Sequence, residues 1–476
     1  MHSATLFSNR TSNGLCLAFG LLATAAAMVV LWQPPVLLAG AAVVVLALSF
    51  AENERFLLAL IFLQPIDLVS RAIPLGSDAA LLLHAFAVAG FFLGRLYRRE
   101  LRLGEIWRPA ATRTSGAFVA AIAVSAVFGL PGLAHEKLRG VYFVAVYFGF
   151  YLVLWCWLAT EERRRAALRA LLSSTVLVGV FAVVQTLSQS YTPLYSLFYE
   201  LDSTRWQSRP TSFLPGPNAL AGYLNVILPF ALAAYLLSDD RAWKRLTGAA
   251  AALGILSLIL SESRGGYIAF AATLVLAIWH FAGSWKRRFT LFLAAALLGA
   301  ACCAALVAWN PAHFGDFAAD NSTLSRVILW YTAWKLFVAS PVHGIGFGTF
   351  SFISGDYLPV VVDMPDGLGV HNIYLELLAE SGVLGLASFL AVAGAGIGRA
   401  WRQCSSGNWF RHATGFGAAA GLTATLVGGF ADHNVLWAPP IAFSFWFWLA
   451  LVGGTNEMKT TAVKTITVSA APGSVD

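Results

Sequence analysis

Charge is scarce in this sequence. Asp, Glu, Lys and Arg make up 12% of its 476 residues, about half the share of a soluble globular chain. So few charges cannot cover the surface of a water-soluble protein this long. They equally exclude a disordered chain, which needs high charge and low hydrophobicity. Cysteine is also rare: Cys16, Cys156, Cys302, Cys303 and Cys404 are the five present. None stands at a metal-ligand spacing, and the adjacent Cys302–Cys303 pair is poorly placed for an ordinary disulfide. They read as small apolar residues. No internal repeat is visible. A soluble secreted enzyme, a nucleic-acid-binding module and a coiled coil all fit badly. What is present in excess is hydrophobicity, at 58% of residues and a mean hydropathy of +0.71. That composition leaves a polytopic membrane protein.

A bilayer-crossing helix needs about 20 mostly apolar residues. Fourteen runs qualify, at 14–32, 35–51, 56–69, 79–96, 115–134, 140–159, 167–185, 218–237, 246–262, 265–283, 289–309, 373–398, 412–431 and 437–453. The third is short and contains Gln64-Pro65-Ile66-Asp67, which suits a broken or re-entrant segment. The first lacks a small-residue cleavage site and reads as a retained helix. The fold class expected is all-α, with about 12–14 transmembrane helices.

The net charge of +7 is mostly a topology signal. With the N-terminus in the cytoplasm and sides alternating, most of the 31 Lys and Arg fall on the cytoplasmic side, as the positive-inside rule requires. The exceptions are Arg71, Lys137, Arg139, Arg205, Arg209, Arg264, Arg326 and Lys335. These outer residues carry the functional information. Both termini are expected in the cytoplasm, with a polar tail at 455–476.

Two outer segments are long, 186–217 and 310–371, and long loops in compact proteins are usually functional. Leu324, Val327, Ile328, Tyr331, Trp334 and Val338 follow helical spacing behind a cap at Asp320-Asn321-Ser322. This predicts an amphipathic helix on the membrane surface or against the bundle. In the first segment, Arg209-Pro210-Thr211-Ser212-Phe213 leads through Pro215-Gly216-Pro217 to Asn218, a candidate helix cap. Ser261-Glu262-Ser263-Arg264-Gly265-Gly266-Tyr267 forms a tight connection, and ionisable residues at membrane depth are functional candidates by default. Pro341-Val342-His343-Gly344-Ile345-Gly346-Phe347-Gly348-Thr349-Phe350 lacks a βαβ setting and is no nucleotide loop. It reads as a turn that closes the loop on the bundle. His371-Asn372-Ile373-Tyr374 through Glu380-Ser381-Gly382 opens a membrane helix. Asp432-His433, in a short outer turn, is a further candidate.

Taken together, in this order and on one face, these motifs resemble the O-antigen ligase and O-antigen polymerase superfamily of bacterial inner-membrane glycosyltransferases. The resemblance covers roughly residues 170–450. The Pro215-Gly216-Pro217 stretch departs from the family pattern, which more often has Gly and Asn before the Pro-Asn.

The resemblance implies a GT-C-like all-helical fold with a large periplasmic loop over the active site. It divides the chain into N-terminal helices (1–160), a catalytic membrane region (161–454) and the tail. It implies an undecaprenyl-pyrophosphate-linked glycan donor and, as acceptor, either lipid A–core or a second lipid-linked glycan. Arg209, Arg264 and His371 are then the catalytic candidates. The arginines suit pyrophosphate, because a guanidinium binds phosphate oxygens bidentately, and His371 suits proton acceptance. Arg326, Trp330, Asn218, Asn372 and Glu380 are the substrate-binding candidates. No metal, cofactor or nucleic acid is expected. A transporter or flippase is the alternative from another class, and Asp67 is the residue it would use.

Overall fold

The computed structural model describes residues 34–65, 77–190, 209–309, 321–357 and 369–453. The expected first span, Asp67, Arg71, the tail, and residues 191–208, 310–320 and 358–368 (with Arg205 and Asp320) lie outside the described residues. The structure is 81% helical, with no strand among the described residues, and the protein is an all-α polytopic membrane protein.

The helices are α1 (Pro34–Phe50), α2 (Glu54–Leu63), α3 (Ser77–Tyr97), α4 (Ala110–Phe128), α5 (Ala134–Trp157), α6 (Glu161–Leu187) and α7 (Pro217–Leu237). They continue with α8 (Arg241–Leu260), α9 (Arg264–Phe281), α10 (Trp285–Trp309), α11 (Asn321–Ala339), α12 (Ile373–Gln403), α13 (Trp409–Gly428) and α14 (Pro439–Gly453). Every apolar run expected from 35–51 onward coincides with one of them. Among the described residues seven, α4 to α9 and α12, are long and apolar enough to cross a membrane. The apolar stretches in α1, α3 and α14 are shorter. The described part of the run at 56–69 forms the short α2, after which Gln64 turns its amide to Pro440 O at 3.3 Å and Ser444 Oγ at 3.2 Å.

Local chemistry sets the helix starts. Thr160, Asp240, Ser263, Asn372 and Asn408 each accept a hydrogen bond from a first-turn amide, satisfying donors that a helix N-terminus leaves open. Asn218 does not play this part. Gly216 is the N-cap of α7 and Pro217 its first residue, a place where the missing proline N–H costs nothing. The Asn218 side chain is thereby released to meet Arg209.

α7 is the centre of the bundle, with 72% of its apolar window buried. It packs on α13 and α8, around the fully buried Trp243, Trp448, Tyr223 and Phe230. Other basic residues stand at helix ends. Arg95 pairs with Glu52 at 2.8 Å, and Arg164 donates to Leu158 O at 2.8 Å.

α11 is apolar on two sides. Leu329, Ala333 and Leu336 are buried with Ile345, Val370 and Ala379. The stripe expected from sequence turns the other way: Leu324, Val327, Tyr331, Trp334 and Val338 are exposed. An exposed Trp–Tyr–aliphatic face suits the membrane–water boundary, and the second face explains how the helix is also fixed to the bundle.

Candidate active site

The segment carrying Arg209 is pinned from below by α6. Gln185 Oε1 accepts from Thr211 N at 3.2 Å and Ser212 N at 2.7 Å. Ser212 Oγ donates to Val178 O at 2.8 Å. Arg209 then reaches across to the α8–α9 connection. Its Nε donates to Ser261 O at 2.9 Å and its Nη2 to Asn218 Oδ1 at 3.3 Å. Ser263 caps α9 through Gly266 N at 3.2 Å, which places Arg264 as the first residue of that helix. Asn225 of α7 holds the same turn, its Nδ2 donating to Gly266 O at 2.9 Å. Ser212, Glu262 and His371 all have positive φ, a costly conformation for non-glycine residues that concentrates at functional positions.

These segments enclose a cleft of about 750 Å³, counting the solvent at its mouth. It is lined by the charged residues Arg209, Arg264, Arg326, Glu262 and Asp432, by Asn218 and Asn434, and by small residues such as Gly222, Ala269, Ala424 and Gly428. Three arginines from three separate parts of the chain therefore face one space. The first turns of α7 and α9 line it as well, and helix N-termini favour anions. Burial pulls the Arg209 guanidinium below its ordinary range; Arg264 and Arg326 add to this and Glu262 opposes it. An anion entering the cleft would offset that penalty.

His371 does not itself line the cleft; it stands just before α12, beside the lining residue Asp432. Its Nδ1 lies 3.9 Å from Asp432 Oδ1 and has no hydrogen-bond partner among the described residues. The His371 side chain is 31% exposed, so the ring is reachable from solvent. Asp432 Oδ1 also accepts from His433 N at 2.7 Å. Burial raises the Asp432 carboxyl, but His371 and His433 outweigh it and hold the group below the usual carboxylate range. His433 in turn hydrogen-bonds Glu376 through Nδ1, and Trp437 Nε1 donates to the other Glu376 oxygen. Burial lowers the His433 imidazole, but Glu376, Asp432 and Glu380 raise it to about 9.

The other sequence candidates have framework positions. Asn372 caps α12 and donates from Nδ2 to Phe430 O at 3.2 Å. Trp330 Nε1 donates to Val370 O at 3.1 Å. Glu380 is buried; its carboxylate accepts from Gly348 N at 2.9 Å and Phe350 N at 2.8 Å. None of the three lines the cleft, because their polar atoms are spent on backbone. Glu380 instead fastens the glycine segment at 341–350 onto a kink in α12. Gly382 there has φ 63°, and Gly344 has φ 71° and no room for a Cβ, which would meet the Glu380 carbonyl carbon at 2.2 Å. Glu380→Ala leaves the buried Phe350 amide and the half-buried Gly348 amide without acceptors. It is expected to destabilise the fold by about 2–5 kcal/mol, measured as a drop in thermal unfolding temperature in detergent.

Residues 249–390 match the family model described as O-antigen ligase, Wzy_C. A stretch of 180 residues is 26% identical to the exopolysaccharide production protein ExoQ of Rhizobium meliloti (strain 1021), covering 36% of this chain and 41% of that protein. Over these residues the chain is similar to the O-antigen ligase and polymerase superfamily.

The segment matching the superfamily model contains Arg264, Arg326, the glycine segment, His371, Glu376 and Glu380. Arg209 and Asp432 lie outside it, and the fold brings both to the same cleft. His371, Asp432 and His433 also place candidate metal-ligating atoms within 4.8 Å of one another. Residue spacing carries no sign of this grouping, since two whole helices separate His371 from Asp432. His433 Nδ1 is hydrogen-bonded to Glu376, which ties the three residues to α12. The group is a hydrogen-bonded charge network.

Proposed function

We propose that this protein is a glycosyltransferase working at the periplasmic face of the bacterial inner membrane. It transfers a glycan from undecaprenyl pyrophosphate to an acceptor hydroxyl. The observation that carries this reading is the meeting of Arg209, Arg264 and Arg326 with two helix N-termini in one cleft, beside the His371–Asp432 pair. The basic residues at the opposite helix ends support the orientation.

In the reaction, the acceptor oxygen attacks the anomeric carbon opposite the pyrophosphate. The anomeric C–O bond breaks, and the pyrophosphate leaves with its electron pair. The arginines stabilise the charge that develops on it. His371 takes the proton of the acceptor hydroxyl, with Asp432 orienting the ring as carboxylates orient catalytic imidazoles elsewhere. The anomeric centre is inverted. The step draws on no metal.

Ligation of O-antigen to lipid A–core is the first reading. The likeness to a protein named for exopolysaccharide production favours a second, in which the acceptor is another lipid-linked glycan and the product is a polymer. Purified protein, a defined undecaprenyl-pyrophosphate glycan and each acceptor in turn, with EDTA present, tests both. Transfer to lipid A–core supports ligation, and lengthening of the lipid-linked glycan supports polymerisation. Transfer to neither overturns the reading, and loss of transfer on EDTA addition overturns the metal-free step.

A further inference from the structure

The His371–Asp432 pair is held by only part of the charged groups around it. Asp432 belongs to the turn between α13 and α14, and His371 to the start of α12, so their approach depends on how that turn is docked. The backbone makes one tie: Ile373 N donates to Gly429 O at 2.9 Å. Asn372 Nδ2 makes a second, to Phe430 O at 3.2 Å. The third is ionic. Glu376, one turn into α12 and 2% exposed, takes His433 Nδ1 on one oxygen and Trp437 Nε1 on the other. His433 fills a slot cut for it, since a Cβ at Gly369 would stand 1.9 Å from His433 Cε1. Its ring lies 4.8 Å from that of His371, centroid to centroid.

We infer that the buried Glu376–His433 ion pair, braced by Trp437, is a positioning device for the transfer reaction. It locks the Asp432 turn onto α12 and sets the carboxylate against His371. This rests on the glycosyltransferase reading for its consequence in the reaction, and on geometry alone for the lock itself. Glu376 and His433 touch no substrate; they act through Asp432 and His371.

The charged and titratable groups facing His433 are Glu376 and Glu380 of α12, Asp432 of its own turn, and His371 before α12. Three carboxylates against one imidazole favour the charged ring. The His433 group, raised to about 9, stays protonated at neutral pH and stabilises the turn there. That contribution is complete below the ordinary imidazole range and is lost as pH rises through about 9. Transfer is therefore expected to fall on the alkaline side as the lock opens.

Glu376→Gln tests this directly. It keeps an acceptor for Trp437 but removes the counter-charge. Loss of one opposite charge at contact lowers a pKa by about 1–3 units, so the alkaline limb of kcat moves down by that amount. At pH 8.5 kcat falls about threefold for a one-unit shift and more than a hundredfold for three units, while KM for the lipid-linked donor is unchanged, because the arginine cleft is intact. A merely structural role would lower the amount of folded protein without moving the limb. A variant with the same alkaline limb as the wild-type protein overturns the inference. Titration of imidazole-labelled wild-type protein, with His433→Gln used to assign the signal, needs no activity. One ring that holds its proton to about pH 9 supports the lock, and a His433 titrating in the ordinary imidazole range overturns it. If the wild-type protein transfers no glycan at all, the glycosyltransferase reading fails and the titration still decides the lock. If Glu376→Gln fails to fold, the titration likewise decides.

Discussion

Replacing Arg264 by alanine is expected to lower kcat for glycan transfer about 10²- to 10³-fold, the cost of removing one preorganised charge from a transition state. Arg264 opens α9 at the cleft, so its charge adds to that of a helix N-terminus. Arg264→Lys keeps the charge but not the planar fork that binds two phosphate oxygens at once, and is expected to recover only part of the loss. Arg209→Ala is expected to behave differently. Arg209 also joins Ser261 to Asn218, so its removal loosens the cleft wall and raises KM for the donor as well as lowering kcat. Rates with a defined lipid-linked donor, set beside the yield of folded protein in detergent, check these outcomes. Wild-type kcat from Arg264→Ala would sink the assignment of the cleft to the leaving group.

The arginines are legible in the sequence for a physical reason. A basic residue on the side that the charge bias disfavours is conspicuous, so the expected orientation singles out Arg209, Arg264 and Arg326 together with five other basic residues. The helices are legible because lipid demands long apolar runs. Roles within the motifs are not legible in the same way. Glu380 and Asn372 lie in the same motif as His371, yet their side chains serve the backbone. A short polar motif at a helix start cannot tell an atom that faces a ligand from one that satisfies a neighbouring amide, because both need the same residue types. Asn218 is the converse case. It looks like a cap, but Gly216 and Pro217 begin the helix and free its amide for Arg209. Glu376 escapes notice because its partners His433 and Trp437 arrive only after α12 and α13 have turned back across the membrane. The outward turn of the apolar stripe on α11 escapes for a related reason. Helical spacing fixes which residues share a face, but not whether lipid or protein covers it.

The second large effect is expected at His371. His371→Ala removes the proton acceptor and is expected to lower kcat about 10²- to 10⁴-fold, the range for general-base catalysis. KM for the donor should stay near its wild-type value, since the pyrophosphate is held by the arginines and not by the imidazole. Asp432→Asn keeps the shape of the side chain but loses the charge beside His371 Nδ1, 3.9 Å away. It is expected to cost less than loss of the ring, because an imidazole without its orienting carboxylate still accepts a proton. The two substitutions should not add. Once His371 is gone Asp432 has nothing to orient, so His371→Ala with Asp432→Asn is expected to match His371→Ala alone, the signature of residues acting as one unit. Full additivity would mean that Asp432 works on the substrate independently, which its position on the cleft wall makes the specific alternative. Added imidazole then separates the two. It restores part of the rate to His371→Ala, where a ring-sized space has opened beside an intact carboxylate, and restores less when Asp432 has been changed as well.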